Sequence, residues 1–242
     1  MARDTKENAA SSVQKSKEEA AEAAAAFVED GMVIGLGSGT TATLLVAAIG
    51  KRVQEGLRVV GIPTSEQTGE QARRLNIPLS TLNEHPRIDM DLDGADEVER
   101  GTLNLSKGGG GNLLREKLVA IASKQLVVVV DGRKLVEELG SRSPIAVEVV
   151  PFGWQTTAQR LSNLGANPIL RLQADGQTFI TDGGHYILDC AYGPIPSPSE
   201  LSVKLDGVVG VVEHGLFVGM ASTVVVGGPE GITVLHREGP KS

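Results

Sequence analysis

The apolar positions of the first 142 residues follow two periodicities in turn. Five short apolar runs have the length of strands: 32–36, 59–62, 79–82, 88–93 and 126–130. Segments with helical spacing lie between them, and their predicted helices begin near Ser16, after Thr41, near Ser65 and after Asn112. Gly31 and Gly50 are expected to end the first two helices. Strands that alternate with helices predict an α/β domain with a mostly parallel sheet.

After residue 142 the order of elements changes. The predicted order is a strand at 147–150, a helix at 156–164, a strand at 168–172, a strand pair at 178–181 and 186–190, a helix from 199, and a strand at 208–213. In outline this is strand, helix, strand, strand, helix, strand. This order is typical of a split βαββαβ layer. Three further strands, at 216–220, 223–226 and 232–235, are expected to rejoin the first sheet. We therefore predict one domain from residues 12–142 plus 214–242 and a smaller α+β domain from residues 143–213, with residues 1–11 flexible.

A glycine turn joins the first strand to its helix. It reads Gly37-Ser38-Gly39-Thr40-Thr41, so hydroxyl groups and backbone amides meet at a helix N-terminus, where a phosphate monoester would bind well. The turn has no lysine, which excludes a Walker loop. The dinucleotide fingerprint would need a glycine at position 40 and an acidic residue after the second strand, where Pro63-Thr64-Ser65 stands. A glycine turn without a ligand is the alternative.

Two aspartates follow the alternating strand at 88–93. This strand brings Asp93 to its carboxyl end, where ligands of open α/β sheets bind, and Asp96 comes three residues later. The aspartates of the strand and Gly94 also imitate the start of a calcium loop. However, its twelfth position, where a glutamate ligand belongs, is Arg100, so calcium is not expected.

Lys107 precedes a run of four glycines at 108–111. Such a run suits a place where a ligand approaches the main chain, and its amides lead into a helix N-terminus that can bind an anion. The buried face of this helix is expected to contain Leu114, Leu118 and Ile121. Glu116 points away from that face, so it is either a functional carboxylate or a solvated surface residue.

Other reactive side chains are few. Lys134 follows the strand at 126–130 at the ligand-facing edge of the sheet, which makes it a second candidate cation. Cys190 is the single cysteine, and we expect it to be a small buried apolar residue in a reducing compartment. The four histidines are scattered without the spacing of metal ligands: His85, His185, His214 and His236. A zinc site is therefore not expected.

Composition limits the partners. The 242 residues carry a net charge of −7 and a pI near 5.2, which argues against nucleic acid or an anionic membrane. No uncharged apolar stretch approaches about 18 residues, and the start of the chain lacks the apolar region of a secretory signal. We expect a cytoplasmic protein, or an organellar one if a transit peptide has been removed.

Five segments together resemble ribose-5-phosphate isomerase type A: GLGSGTT at 35–41, PTSEQT at 63–68, DGADE at 93–97, KGGGGNLLREK at 107–117 and VEVVPFG at 147–153. The resemblance implies a Rossmann-like domain with a smaller ferredoxin-like domain, in a homodimer or homotetramer without a cofactor. The implied activity is the interconversion of D-ribose 5-phosphate and D-ribulose 5-phosphate through an enediolate, within the pentose phosphate pathway.

The resemblance also implies residue roles. Glu116 would be the proton acceptor, while Asp93, Asp96 and Lys107 would line the sugar. Lys107 would stabilise the oxygen that becomes negative, and either aspartate could move the hydroxyl protons. Substrate contacts are implied for Ser38, Gly39, Thr40, Thr41, Asp93, Gly94, Ala95, Asp96, Lys107, Gly108, Gly109, Gly110 and Lys134.

The chain departs from the family pattern at two places outside the catalytic loop. Residues 182–185 read Asp-Gly-Gly-His where many relatives have Asp-Asn-Gly-Asn, and Ala146 replaces a common proline. A sugar-phosphate sensor is the alternative from another class, but it would need a DNA-binding segment, and the residues before the first helix are too few for one. Among enzymes, an amino-sugar phosphate isomerase or a coenzyme A transferase is the nearer alternative.

Overall fold

In the computed structural model, the backbone is described for residues 2–237 and the side chains for residues 13–237. The chain forms two compact units. Within the described range, unit 1 contains residues 2–95, 119–135 and 221–237, and unit 2 contains residues 96–118 and 136–220. This division differs from the predicted domain boundaries, because segments 96–118, 136–142 and 214–220 group with unit 2.

The helices are α1 Ala2–Ala25, α2 Thr40–Gln54, α3 Glu66–Arg74, α4 Leu113–Ala122, α5 Trp154–Asn163 and α6 Pro198–Asp206, with a 3₁₀ turn η1 at Gly132–Lys134. The strands are β1 Val33–Leu36, β2 Val60–Pro63, β3 Met90–Asp93, β4 Glu97–Glu99, β5 Leu105–Ser106, β6 Leu126–Asp131, β7 Leu135–Val136, β8 Ile145–Val149, β9 Asn167–Leu170, β10 Tyr186–Ala191, β11 Val211–His214, β12 Leu216–Phe217, β13 Thr223–Gly228 and β14 Gly231–His236.

Unit 1 is built on a six-stranded sheet in the order β14-β13-β6-β3-β1-β2. All neighbours are parallel except β13 and β14, so the predicted mostly parallel α/β sheet is confirmed. Strand β6 is buried along its whole length, as expected from its apolar run. Apolar residues of α1 and α2 pack on the sheet, including Ala20, Ala24, Leu45 and Ile49.

Unit 2 contains an antiparallel sheet in the order β11-β8-β10-β9. Its strands and the helices α5 and α6 follow the chain order βαββαβ, so the predicted ferredoxin-like layer is confirmed. Helix α5 buries Leu161 and helix α6 buries Leu205 in a core that includes Ile145, Val147 and Leu188. This sheet gives unit 2 a hydrophobic core of its own.

A third, short sheet has the order β12-β5-β4-β7. The prediction that the strand at 216–220 rejoins the first sheet was wrong, because β12 pairs antiparallel with β5 instead. Asn104 fixes the end of this pairing, since its Oδ1 accepts a hydrogen bond of 3.0 Å from the Gly219 N–H. The predictions for the strands at 223–226 and 232–235 are confirmed, because β13 and β14 belong to the first sheet.

Three local predictions need correction. Helix α1 begins at Ala2 and so includes residues predicted to be flexible, while Ser16 lies inside it and donates to the Gly228 carbonyl at 3.4 Å. Gly50 lies within α2 rather than after it, and glycine is needed there because a Cβ would lie 2.8 Å from Leu75 Cβ. The runs at 79–82 and 178–181 form only isolated bridges.

The N-cap of α3 is confirmed: the Ser65 side chain accepts a hydrogen bond of 3.0 Å from the Thr68 N–H. Among the residues that the structure describes, no helix combines the length and the apolar character needed to cross a membrane.

Candidate active site

Asp93 holds the glycine turn of unit 1. Its Oδ1 accepts hydrogen bonds from the Ser38 N–H at 3.2 Å and from the Gly94 N–H at 2.7 Å. The Gly37 N–H donates to the Leu92 carbonyl at 2.9 Å, which brings the turn against the end of β3. A Cβ at Gly37 would lie 2.2 Å from Asp93 Oδ1, so only glycine fits there. The glycine turn and Asp93 therefore lie together at the carboxyl ends of β1 and β3.

The N-terminus of α2 is open to solvent. Gly39 precedes it with φ +91°, a backbone conformation that glycine adopts easily, and both Gly39 and Thr40 are exposed. Thr41 is half-buried and lies against Gly94, where a Cβ would be 3.5 Å from Thr41 Cβ. These amides and hydroxyls form a site that can bind an anion.

Two threonines that were not predicted as site residues support the turn from β2 and α3. Thr64 Oγ1 lies 3.2 Å from Ser38 Oγ, and Thr68 Oγ1 donates to the Gly37 carbonyl at 3.0 Å. The sequence did contain a signal for them, because Pro63-Thr64-Ser65 follows the strand that pairs with β1. Hydroxyls after a neighbouring parallel strand emerge at the same edge of the sheet.

Lys134 ends η1, directly after β6, and β6 pairs with β3, the strand that carries Asp93. It therefore lies at the predicted edge of the sheet and is half-buried. Next to it, burial works against ionisation of Asp131, but hydrogen bonds from Arg133 outweigh this effect and lower the pKa of the Asp131 carboxyl. Asp131 thus carries a negative charge near the start of η1.

Unit 2 brings Lys107 and Glu116 together. Lys107 Nζ lies 3.3 Å from Glu116 Oε2, and the two side chains are only 4% and 5% exposed. Lys107 follows β5, and its N–H donates to the Gly215 carbonyl at 2.8 Å. Its ammonium group also lies 5.6 Å from the centre of the buried Phe217 ring, within reach of a cation–π interaction.

Helix α4 is turned differently from the sequence-based prediction. Leu118 and Ile121 were expected to be buried, but they are 50% and 68% exposed. Glu116 and Lys117 are buried instead, together with Leu113. The interpretation of Glu116 as a solvated surface residue was therefore wrong, because two neighbouring charged residues of this helix, Glu116 and Lys117, are buried.

Asp96 is tied to the glycine run. Its Oδ2 accepts a hydrogen bond of 2.8 Å from the Gly109 N–H, and a Cβ at Gly109 would come within 2.6 Å of Asp96 Oδ1. Gly108 and Gly111 have positive φ values of 104° and 81°, so glycine is required there by conformation. Gly109 and Gly110 are exposed, which leaves this stretch of main chain accessible to a ligand.

A second buried lysine lies beside the first. Lys117 Nζ donates to Glu213 Oε1 at 2.6 Å and to the His214 carbonyl at 2.7 Å, and it lies 5.0 Å from the centre of the Phe217 ring. Burial lowers the pKa of Lys117, while the nearby Glu213 carboxylate opposes this shift. Lys117 therefore neutralises a carboxylate within unit 2.

His214 is fully enclosed. Burial and the Lys117 charge lower the pKa of His214 to about 4, so the ring is neutral at pH 7. Its Nδ1 accepts a hydrogen bond of 3.2 Å from the Leu216 N–H, which places the ring proton on Nε2, 3.2 Å from Asp206 Oδ1. Asp206, Glu213 and His214 are close enough to share a metal ion, but the ring proton and the Lys117 ammonium already occupy the groups it would use.

Cys190 is buried, as predicted, and burial raises the pKa of its thiol to about 12. It is therefore protonated at neutral pH and has little nucleophilic character.

The sequence of this chain is similar to those of known proteins. The family model described as ribose 5-phosphate isomerase A (phosphoriboisomerase A) matches residues 60–231. The chain belongs to the ribose-5-phosphate isomerase A family. It is 58% identical over 219 residues to the ribose-5-phosphate isomerase A of Gloeobacter violaceus, covering 90% of this chain and 95% of that one. Identity is 54% to the Synechococcus sp. (strain JA-3-3Ab) protein of the same name, covering 93% and 99%.

Solved structures agree with the sequence comparison. The ribose 5-phosphate isomerase A of Methanocaldococcus jannaschii has a TM-score of 0.89 at 41% identity and covers 93% of this chain and 99% of that one. A D-ribose-5-phosphate isomerase in complex with phospho-erythronic acid has a TM-score of 0.90 at 37% identity, with the same coverage. This chain is accordingly an aldose–ketose isomerase of the ribose-5-phosphate isomerase A family.

Proposed function

We propose that the chain interconverts D-ribose 5-phosphate and D-ribulose 5-phosphate through an enediolate, with Glu116 as the base. The observation that carries this proposal is the buried pair of Glu116 and Lys107, 3.3 Å apart. A carboxylate and an ammonium group are the two functions that moving a proton between adjacent carbons requires. Family membership supports the same chemistry.

Glu116 removes the proton from C2 of the open-chain aldose and returns it to C1, which gives the ketose. In between, the carbonyl oxygen becomes negatively charged. Lys107 stabilises that charge, because a compact cation in a buried place interacts with a developing anion far more strongly than it would in water. The pair therefore divides the work between proton transfer and charge stabilisation.

Proton exchange between the two hydroxyl oxygens needs a second carboxylate. We assign it to Asp96, which is half-buried, while Asp93 is almost fully buried and its Oδ1 holds the turn at Ser38. Asp93 and the adjoining Gly94 and Ala95 then shape the sugar-binding part of the chain. This division of roles follows from the partners of each carboxylate.

The phosphate group is assigned to the turn that contains Ser38, Gly39, Thr40 and Thr41. Its support is the exposed N-terminus of α2, which follows a turn that the Thr64 and Thr68 hydroxyls hold in place. In the exposed glycine run, the Gly110 N–H is a further candidate donor to the substrate, while Gly108 and Gly109 shape the main chain and the Gly109 N–H holds Asp96. Lys134 is a candidate cation. No group in this scheme is a metal ion or an organic cofactor.

A direct assay tests the proposal. Purified protein is incubated with ribose 5-phosphate, and ketose formation is followed against parallel incubations with glucosamine 6-phosphate and with an acyl-coenzyme A. We expect turnover of the pentose phosphate alone. Turnover of an amino-sugar phosphate, or acyl transfer without isomerisation, would replace the assignment by one of these other reactions.

We also propose that the chain assembles as a homodimer or homotetramer. Unit 2 supports this proposal, because it exposes large apolar side chains: Phe152, Ile169, Leu172, Ile180, Val203 and Val209. Light scattering at micromolar concentration measures the mass of the assembly. A monomer at these concentrations would contradict the proposal.

The pentose phosphate pathway in a cytoplasmic compartment is the proposed setting. A single buried thiol and a net charge of −7 are compatible with a reducing compartment and with a small anionic substrate bound locally. Cell fractionation followed by the isomerase assay tests the location. Recovery of the activity in an organelle would instead indicate that a transit peptide had been removed.

A further inference from the structure

The glycine run of unit 2 is held by a side chain from the ferredoxin-like sheet. Arg171 Nη1 donates hydrogen bonds to the Gly108 carbonyl at 2.7 Å and to the Gly109 carbonyl at 3.2 Å. One guanidinium nitrogen thus binds two successive carbonyl groups of the loop. The two carbonyls must therefore face the same side.

Peptide geometry then decides where the amides face. In a trans peptide the carbonyl and the following N–H point in opposite directions, and the described residues contain no cis bond. With the Gly108 carbonyl on Arg171, the Gly109 N–H faces away, and it donates to Asp96 Oδ2 at 2.8 Å. With the Gly109 carbonyl also on Arg171, the Gly110 N–H is directed away from the guanidinium, in an exposed stretch of chain.

Arg171 is itself rigidly held. Its Nε donates to Asp189 Oδ2 at 3.0 Å and its Nη2 donates to Asp189 Oδ1, a two-point ion pair that only arginine can form. Its N–H donates to the Ile187 carbonyl at 2.9 Å, so its backbone continues the pairing of β9 with β10. The side chain is 15% exposed, so this pair is largely shielded from solvent.

Phe179 completes the support. Its N–H donates to the Arg171 carbonyl at 3.0 Å, and its ring centre lies 5.8 Å from Arg171 Cζ. The same ring fills the space beside Gly111, where a Cβ would be only 2.4 Å from Phe179 Cζ. The glycine run is therefore supported at its start by a cation and at its end by an aromatic ring.

We propose that Arg171 is a positioning residue that fixes the peptides of Gly108 to Gly110, so that the Gly109 N–H holds Asp96 and the Gly110 N–H is preorganised for an anionic group of the substrate. It touches carbonyl oxygens rather than the reacting atoms. A cation on the carbonyl side also polarises each peptide and strengthens its N–H as a donor. Donors that are fixed before charge develops need no reorganisation during the reaction. This inference rests on the proposed isomerase function.

Three variants of Arg171 and one control test it, and the third, Arg171→Ala, serves for chemical rescue. Arg171→Met removes both bonds to the loop, whereas Arg171→Lys keeps the charge but cannot hold Asp189 and two carbonyls at once. Arg160→Met is the matched control, because Arg160 lies in the same unit and donates to a backbone carbonyl, that of Val209, at 3.0 Å. Circular dichroism and thermal melting report the folding of each variant.

We expect Arg171→Met to lower kcat/KM by roughly 10- to 100-fold, and Arg171→Lys by a smaller factor, while Arg160→Met changes it less than about 2-fold. The loss should appear mainly in kcat. Binding of phospho-erythronic acid, whose carboxylate carries a full negative charge, should weaken in parallel with kcat/KM. Addition of millimolar guanidinium to an Arg171→Ala variant should restore part of the activity, which a purely structural defect would not allow.

The inference is overturned if folded Arg171→Met has wild-type kcat/KM and wild-type affinity for phospho-erythronic acid. If Arg171→Met does not fold, Arg171→Lys provides the test. A lysine variant with wild-type kcat/KM would show that a guanidinium bound to the Gly108 and Gly109 carbonyls is not needed, which would overturn the inference. Failure of the proposed function gives a different result, because wild-type protein would then not isomerise ribose 5-phosphate at all.

Discussion

Lys107 Nζ lies 3.3 Å from Glu116 Oε2, and both side chains are almost fully buried. An ion pair of this kind is not a strong source of stability, because removing two charges from water costs about as much as their attraction returns. Its presence next to an exposed glycine run is therefore better explained by chemistry than by folding. The pair joins the proposed base and the proposed charge-stabilising group in one unit of the protein.

Glu116→Gln should nearly abolish turnover. The amide cannot accept the carbon-bound proton, so we expect kcat to fall by at least about 10²- to 10⁴-fold. Because Glu116 is buried and paired, the change should also lower the free energy of unfolding by about 3 kcal/mol, unlike a change at a surface residue. Steady-state kinetics and denaturant unfolding measure the two effects.

Glu213→Gln is the control for this variant. It breaks the pair with Lys117, which comes directly after Glu116 in α4, and should lower stability without abolishing activity. A well-folded Glu116→Gln protein with near wild-type kcat would move the base to Asp93 or Asp96.

Lys107→Met should weaken substrate binding and turnover together, because it removes the charge that faces the developing anion and leaves Glu116 buried without its ammonium partner. Lys107→Arg should not restore full activity, since the guanidinium is larger and planar. Lys117→Met, beside the same Phe217 ring, should mainly affect stability. Kinetics of the three variants distinguish these effects, and a Lys107→Met enzyme with an unchanged kcat would exclude the proposed role.

The phosphate should be needed for turnover. Since the turn at Ser38 would hold it, ribose without phosphate should have a kcat/KM at least about 100-fold lower than ribose 5-phosphate. Thr64→Val, which removes the hydroxyl next to Ser38 Oγ, should raise KM for the phosphorylated sugar. Ser123→Ala, whose hydroxyl donates to the Val119 carbonyl, is the control in the same unit. Equal kcat/KM values for the two sugars would contradict this role of the turn.

Stability should fall on mild acidification because of His214. Its pKa is about 4 in the folded chain and 6.5 in the reference state, so the unfolded chain binds more protons between these values. The contribution of the neutral His214 ring to the free energy of unfolding is complete above pH 6.5 and is lost as the pH falls towards 4. Between pH 7.5 and 5 it amounts to about 2 kcal/mol.

Denaturant unfolding of the wild type and of His214→Gln at both pH values measures this contribution. The variant should lose less stability than the wild type, since the titration of carboxylates is common to both proteins. Equal losses would show that Asp206 and Glu213 compensate the burial of a charged ring.

Activity should survive exhaustive treatment with EDTA, because in the proposed mechanism Glu116 is the base and Lys107 is the cation. Re-addition of Zn²⁺ or Mg²⁺ should not increase the rate, and a metal-dependent enzyme treated in parallel provides the control. If chelation stopped turnover and a divalent ion restored it, the cluster of Asp206, Glu213 and His214 would be the first place to look for the ion.

Local sequence patterns determined much of the fold. The fully apolar run at 126–130 predicted a central strand, and the order of elements after residue 142 predicted the ferredoxin-like layer, because strand length and periodicity are properties of adjacent residues. The glycine turn at 37–39 and the aspartate at the end of β3 were likewise visible, because ligands of parallel sheets bind beyond the carboxyl ends of the strands.

Other elements depended on contacts between distant residues. Gly50 was interpreted as a helix end, but it lies inside α2, where glycine is needed because Leu75 occupies the space that a Cβ would fill. Strand β12 pairs with β5 rather than with the first sheet, a choice between two partners that periodicity cannot make. The position of each short strand was decided by which edge was available to it.

For the site, the sequence singled out Asp93, Asp96, Lys107 and Glu116 as candidates, and the family resemblance implied their roles in isomerisation. Only the tertiary structure decided that Glu116 is buried against Lys107 while Leu118 and Ile121 of the same helix are exposed. It also revealed Arg171, which lies more than sixty residues from the loop it holds. The physical reason is that local pattern fixes the faces of a helix, whereas burial depends on what packs against each face.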